Sequence, residues 1–206
     1  QVRKTRPDQV HICYCHTPIR YYWSHYREYK RDPGFGKLNW LVRLSMPFFI
    51  PPLKKADYAA AQDIDVFIAN STEVQNRIKK YYNKPSTVIH PPVDIDRFDP
   101  ARERGDYYMT LGRQVHYKRH DLAVAAATEL GIPLKVFGDG SDHEHLVKMA
   151  GPTVQFYTDR LTDASDAAVT DALNHARGFI YAGEEDFGIV LVEALAAGAP
   201  VIALSR

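Results

Sequence analysis

Residues 107–137 read YYMTLGRQVHYKRHDLAVAAATELGIPLKVF. Tyr107 to Leu111 is a short β-rich run and reads as a strand, His120 to Leu130 has helical patterning, and Leu134 to Phe137 reads as a second strand. The alternation continues to the end of the chain. Helical patterns at Asp142 to Ala150, Ser165 to Ala176 and Ile189 to Ala197 separate strand-like runs at Val154 to Tyr157, Phe179 to Ala182 and Val201 to Leu204. Strand and helix alternating at this length predict an α/β fold, a doubly wound parallel sheet with helices on both faces. Ligands on such sheets bind beyond the carboxyl ends of the strands, so chemistry is to be sought in the loops that follow them.

The first half is less regular and of the same type. Val10 to Cys15, Val66 to Ala69 and Thr87 to Ile89 read as strands, and Ser71 is a good N-cap for a helix running to Tyr82. An aromatic and basic stretch lies between, from Tyr21 to Lys55, and Pro33, Gly34, Gly36, Pro47, Pro51 and Pro52 are predicted to break it into short helices. The segment His90 to Pro100, with prolines at 91, 92 and 100, suits neither strand nor helix and reads as a linker. Two domains are therefore expected, residues 1–95 and 96–206. The chain starts without methionine and stops at Arg206 just after a strand-like run, so both domains are expected to be incomplete.

Hydrophobic residues make up 45% and charged residues 25%, ordinary for a globular protein and unlike a disordered or fibrous one. Lysine and arginine number 26 against 25 acids, so no global field would draw the chain onto nucleic acid, which is not expected as a partner. Cys13 and Cys15 lie one residue apart on one strand face with no cysteine elsewhere to pair with, which reads as two small core residues in a reducing compartment. No apolar run reaches the roughly 18 residues of a membrane span. Gln1 to Pro7 is polar and basic rather than signal-like, so a cytosolic protein is expected.

The most informative stretch runs from Glu184 to Pro200. Glu184, Glu185 and Asp186 sit at a strand-to-helix junction, and Glu193 stands alone among Ile, Val, Leu and Ala. Glu185 and Glu193 are eight residues apart, so a helix starting at the first would place both on one face. Acids at a helix start need no function, since they satisfy free N–H groups there. A carboxylate inside an apolar helix must either be paired or reach a ligand, and both readings stand for Glu193. A second cluster follows the strand at Leu111, where Gly112 lets a ligand approach the backbone and Arg113, Lys118 and Arg119 precede a helix. Arginine's planar fork with lysine's point charge suits a diphosphate, and a solvated basic loop is the structural alternative. Gly138-Asp139-Gly140-Ser141 could admit a base or phosphate, or simply form a tight turn. His16 follows the first strand at its carboxyl end, a position open to a structural or a catalytic role.

In this order the motifs resemble glycosyltransferase family 4 over nearly the whole chain. The Glu185 to Glu193 element, followed by Ala-Leu-Ala-Ala-Gly-Ala-Pro, looks like that family's two-glutamate signature. Gly112-Arg113 with Lys118 resembles its donor-diphosphate clamp, and Phe137-Gly138-Asp139-Gly140 and Ala69-Asn70-Ser71 sit where the family has similar runs. Cys15-His16-Thr17-Pro18-Ile19-Arg20-Tyr21 and Ile89-His90-Pro91-Pro92-Val93-Asp94 are similar to the bacterial mannosyltransferase-like branch.

The resemblance implies the GT-B fold, with two Rossmann-like domains, and retaining transfer of a hexose, mannose in that branch, from a nucleotide-diphosphate sugar such as GDP-mannose. The acceptor it implies is a glycan or a lipid-linked molecule, in polysaccharide biosynthesis. By that carry-over Arg113 and Lys118 neutralise the diphosphate, Glu193 binds the ribose, Glu185 meets the sugar hydroxyls, and His16 touches the sugar near the reacting carbon. Gly112, Gly138, Asp139, Gly140, Phe187, Gly188, Ile189 and Val190 complete the expected donor site, with no metal and no cofactor beyond the donor. Rival expectations are another GT-B enzyme, such as a nucleotide-sugar epimerase or a phosphorylase, and a non-catalytic or inactive sugar-nucleotide binding fragment. Trp40, Phe48, Phe49 and Ile50 among Arg43, Lys54 and Lys55 would suit peripheral contact with the inner face of a membrane, and a buried pair of helices is the preferred alternative.

Overall fold

The computed structural model describes residues 4, 6, 8–31, 33, 36–159 and 164–204, which leaves Gln1, Pro7, Gly34 and Arg206 outside the described residues. The chain divides into two compact units, Gln1–Pro91 and Pro92–Arg206.

The first unit is built on three parallel strands, β1 (Ile12–Cys15), β2 (Val66–Ala69) and β3 (Ser86–Val88), in that spatial order. Ile12 pairs with Val66 and Phe67 with Ser86. The connecting helices are α1 (Tyr26–Arg31), α2 (Asn39–Gln62) and α3 (Thr72–Tyr82). Ser71 caps α3 as its sequence predicts, its Oγ accepting the Val74 N–H at 3.1 Å. Val74, Ile78 and Tyr82, spaced at one helical turn, are buried against Cys15, Phe67 and Ala69 of the sheet. Asp57 of α2 fastens that helix down by accepting the Trp23 Nε1–H and the Tyr82 hydroxyl, each at 2.8 Å.

The stretch before Asp57 departs from expectation. Pro47, Pro51 and Pro52 lie inside one continuous helix of 24 residues and do not divide it. Each removes a hydrogen bond to the carbonyl four residues back, on Arg43, Pro47 and Phe48, and all three of those residues are exposed, where water can satisfy them. Most of this half of the helix is also exposed: Met46 is buried, but Trp40, Leu44, Phe48 and Phe49 are each more than 60% exposed.

The second unit has five parallel strands, β4 (Tyr108–Leu111), β5 (Leu134–Phe137), β6 (Val154–Tyr157), β7 (Gly178–Tyr181) and β8 (Val201–Ala203). Their spatial order is β6-β5-β4-β7-β8. Between them run α4 (His120–Leu130), α5 (His143–Met149), α6 (Asp166–His175) and α7 (Ile189–Ala196), close to the predicted bounds. Strand residues alternate between two cores. Leu134 and Val136 pack with Ala123, Val124 and Ala127 of α4 and Leu146 of α5, while Phe137, Phe179 and Tyr181 pack with Leu173 of α6 and Ala194 of α7. Both faces are thus covered, and the sheet is doubly wound.

The expected linker is only partly one. Phe98 is 7% exposed within the α6–α7 core, and the Asp99 N–H donates to Asn174 Oδ1 at 2.9 Å. Arg104 donates to the carbonyls of Asn174 and Ala197 at 3.0 and 2.7 Å, so the segment after Pro92 is built into the second unit.

Candidate functional site

The order of the second sheet reverses at β4: β5 and β6 extend to one side, β7 and β8 to the other. At such a switch point the crossovers leave on opposite faces and a crevice opens beyond the carboxyl ends of β4 and β7. Three loops meet there, residues 112–119 after β4, 138–142 after β5 and 182–188 after β7.

Their close approach depends on glycine. A Cβ on Gly138 would lie 2.3 Å from the Gly112 carbonyl oxygen, and its φ of +111° excludes other residues on backbone grounds as well. A Cβ on Gly183 would lie 2.8 Å from the Lys118 carbonyl oxygen, so the loop after β7 rests on the backbone of the loop after β4. Gln114, fully buried, ties the first two loops together. Its N–H donates to the Asp139 carbonyl at 2.9 Å, its carbonyl accepts from Asp142 N–H at 2.9 Å, and its Nε2 donates to the Gly138 carbonyl. Gln114 Oε1 lies 2.8 Å from His143 Nδ1.

A cleft of about 430 Å³ opens beside the first two of these loops, lined among others by Gly112, Arg113, Gly138 and Glu193. Arg97 and Asp166 line it too, and neither stands out as a ligand residue in sequence. Arg113 is exposed, its Nη2 donating to the Tyr117 hydroxyl at 3.0 Å. Glu193 is paired: Arg97 Nη2 lies 2.7 Å from its Oε1. Burial raises the Glu193 pKa, the Arg97 charge opposes this, and Asp166 adds to the rise.

A second cluster lies beside it. Lys118 Nζ donates to Glu185 Oε1, and the Tyr181 hydroxyl donates to the same oxygen. The lysine nitrogen also sits 5.5 Å from the centre of the Tyr181 ring. Both members of the ion pair are largely withdrawn from solvent, at 15% and 21% side-chain exposure. Tyr181 is the last residue of β7, and its place at a strand's carboxyl end was the only sequence signal for it.

Glu185 and Glu193 do not share a helical face, because α7 starts only at Ile189. Gly188, at φ +83°, turns the chain into the helix, and a Cβ there would lie 2.9 Å from Leu191 Cδ1. Phe187 stands in the loop just before this turn and Ile189 and Val190 open the helix, where the first backbone N–H groups lack intrahelical partners and favour an anion. Asp139 is exposed and its Oδ1 accepts the Gly140 N–H at 2.7 Å, a local turn contact. His16 belongs to the first unit, exposed directly after β1, with its ring 5.4 Å from that of Tyr14. Among the described residues no group of three or more His, Cys, Asp or Glu side chains could hold a metal ion. No helix among them is long and apolar enough to cross a membrane.

The sequence profile described as "Glycosyl transferases group 1" matches residues 93–205. No curated protein matches the sequence. A variant of S. aureus TarM, solved with fondaparinux, α-GlcNAc-glycerol and UDP, is similar at TM-score 0.62 and 17% identity, over 73% of this chain and 32% of that one. The pneumococcal O-GlcNAc transferase GtfA, solved with UDP and GlcNAc, is similar at TM-score 0.55 and 21% identity, over 73% and 32%. The lipopolysaccharide outer core galactosyltransferase WaaB in its apo form gives 0.54 and 20%, over 74% and 46%. The likeness shows the fold, α/β with parallel sheets as in GT-B glycosyltransferases. The chain spans about a third to a half of the length of these structures.

Proposed function

This chain belongs to the glycosyl transferases group 1, and from that premise we propose that it carries the donor site of a retaining transferase that moves a hexose, mannose in our reading, from a nucleotide-diphosphate sugar to a glycan or lipid-linked acceptor. The observation that carries the reading is the convergence of Gly112, Arg113, Gly138 and Glu193 on one cleft at the switch point of a parallel sheet.

In this reading the diphosphate lies over Gly112 with Arg113 and Lys118 as its cations. Breaking the bond between the anomeric carbon and the phosphate oxygen leaves negative charge on the diphosphate. Fixed cations stabilise that charge more in the transition state than in the ground state. The new bond forms from the acceptor oxygen to the anomeric carbon, and the acceptor proton passes to the departing phosphate oxygen on the same face. Lys118 already shares Glu185 with Tyr181, which holds the ammonium in place before a donor arrives. Glu185 then meets hydroxyls of the transferred sugar and Glu193 those of the ribose.

The test is a thermal-shift and calorimetric panel with GDP, UDP, ADP and GDP-mannose, since a ligand of the folded state raises apparent stability by mass action. Stabilisation by one nucleotide, lost in Arg113→Ala and Glu193→Ala, supports the site and fixes the donor class. UDP belongs in the panel because a TarM variant and GtfA were solved with it. Absence of any shift would remove the reading for this chain.

For the acceptor side, the exposed Trp40, Leu44, Phe48 and Phe49, with Arg43 and Lys55 on the same helix, support contact with an anionic bilayer at the cytosolic face of a membrane. Flotation with vesicles containing phosphatidylglycerol is the check, and no binding at low salt would exclude it.

A further inference from the structure

Arg97 lies between β3 and β4, a stretch that sequence reasoning treats as connection, yet it contacts an acid 96 residues away in the candidate donor cleft. We propose that Arg97 is a positioning residue, which holds one oxygen of the Glu193 carboxylate so that the other meets the ribose diol of a bound nucleotide. This rests on the nucleotide-site reading above.

The geometry supplies the argument. A carboxylate has two oxygens, and Arg97 Nη2 takes Oε1 at 2.7 Å, which leaves Oε2 for a ligand. The arginine is itself held. Its guanidinium lies 4.7 Å from the Phe98 ring centre, Phe98 is buried in the α6–α7 core, and the Phe98 N–H closes a turn onto the Ile95 carbonyl at 3.1 Å. Arg97 Nε is buried without a hydrogen-bond partner among the described residues, a desolvation cost that the pair at Nη2 offsets. Glu193 needs this help because of where it stands. It projects from an apolar helix, burial favours its neutral form, and Asp166 across the cleft pushes the same way. The charges facing it from the packed elements are Arg97 before β4, Arg113 after β4 and Asp166 at the start of α6. Arg97 opposes both effects and favours the ionised carboxylate, which accepts hydroxyl hydrogen bonds more strongly than a neutral acid.

The experiment is a cycle between protein and ligand. Dissociation constants for GDP and UDP, and for their 2′,3′-dideoxy forms, are measured by calorimetry for the unsubstituted chain, Arg97→Ala and Arg97→Lys. The unsubstituted chain is expected to prefer the ribose form by about tenfold or more, the strength of one charge-assisted hydrogen bond. Arg97→Ala should abolish that preference, the ribose form losing more affinity than the dideoxy form, and Arg97→Lys should restore part of it. In Arg97→Ala any remaining preference should fade at a higher pH than in the unsubstituted chain, since Glu193 loses the charge that holds its pKa down. Equal losses for both forms would make Arg97 merely structural, and an unchanged preference would detach it from the ribose. Either overturns the proposal. Failure of the unsubstituted chain to bind any of the four nucleotides would instead remove the donor-site reading, and this inference with it.

Discussion

His120 opens α4 almost wholly out of solvent, with its Nδ1 3.1 Å from Thr110 Oγ1 on β4. Burial, and after it the nearby Lys118 charge, push its pKa down from 6.5 to about 4. The unfolded chain takes up a proton near pH 6.5 while the folded one does not until about pH 4. The unfolded state therefore binds more protons in that window, and stability falls as pH drops through it. The loss attributable to His120 is on the order of 3 kcal/mol. Urea midpoints at pH 7 and pH 4.5 should converge in His120→Gln, and an equally steep loss in the variant would place the acid sensitivity elsewhere. Cys13 is a second case: the hydrogen bond from Cys15 lowers its pKa to about 7 against the opposing effect of burial. Iodoacetamide should modify Cys13 with a midpoint near pH 7, ahead of the buried Cys15, and Cys15→Ala should raise that midpoint as read by peptide mass. Residues such as Gly112, Arg113 and Glu193 were legible because their signal is local: a glycine after a strand, a charge in an apolar run. The Arg97 partner of Glu193 was not, because sequence spacing says nothing about which of 26 cations reaches an acid 96 positions away. Gln114 was equally silent, since its role lies in backbone contacts between two loops.

At the scale of elements, the parallel strands and the helices between them were legible from periodicity, and the misreading concerns whether a helix breaks. Proline marks a lost hydrogen bond and a ring clash, and whether the helix tolerates them depends on solvent access that sequence does not display. In α2 that access exists, and the helix runs on. Pro52→Ala should restore the N–H for the Phe48 carbonyl and raise stability by ~1–3 kcal/mol in urea unfolding followed by helical circular dichroism. No gain would mean that this turn carries no strain. For α7 the start at Ile189 was read correctly, and the left-handed turn at Gly188 that precedes it leaves Glu185 in the loop, where it meets Lys118 and Tyr181. Between elements, Gly138→Ala would set a methyl group against the Gly112 carbonyl in a backbone conformation hostile to alanine. A loss of about 2–4 kcal/mol is expected, together with weakened nucleotide binding, because the same contact shapes the cleft.

On the scale of the whole molecule, the two units have separate sheets and separate cores, and the family match falls entirely within the second. Sequence placed a boundary among the prolines near residue 95, since proline clusters mark chain that cannot join a sheet. It could not tell that Phe98, Asp99 and Arg104 beyond those prolines are anchors, for a buried phenylalanine in a loop has no periodicity to betray it. The consequence is a prediction about where the chain can be cut. Residues 92–206 retain both layers of core and every residue of the cleft, from Arg97 to Glu193. They should unfold in one cooperative urea transition and bind the same nucleotide as the longer chain, with affinity within about twofold, or 0.4 kcal/mol. A version starting at Gly105 keeps every strand and helix of the second unit but loses the Phe98 ring and the Arg104 bonds to Asn174 and Ala197. Truncating a buried aromatic costs about 3–5 kcal/mol, a large share of a domain's net stability, so that version should be marginally folded. It should also lose the ribose preference, because Arg97 goes with the segment. Equal stability of the two versions would show that the segment merely lies on the surface, and that the cleft owes nothing to it.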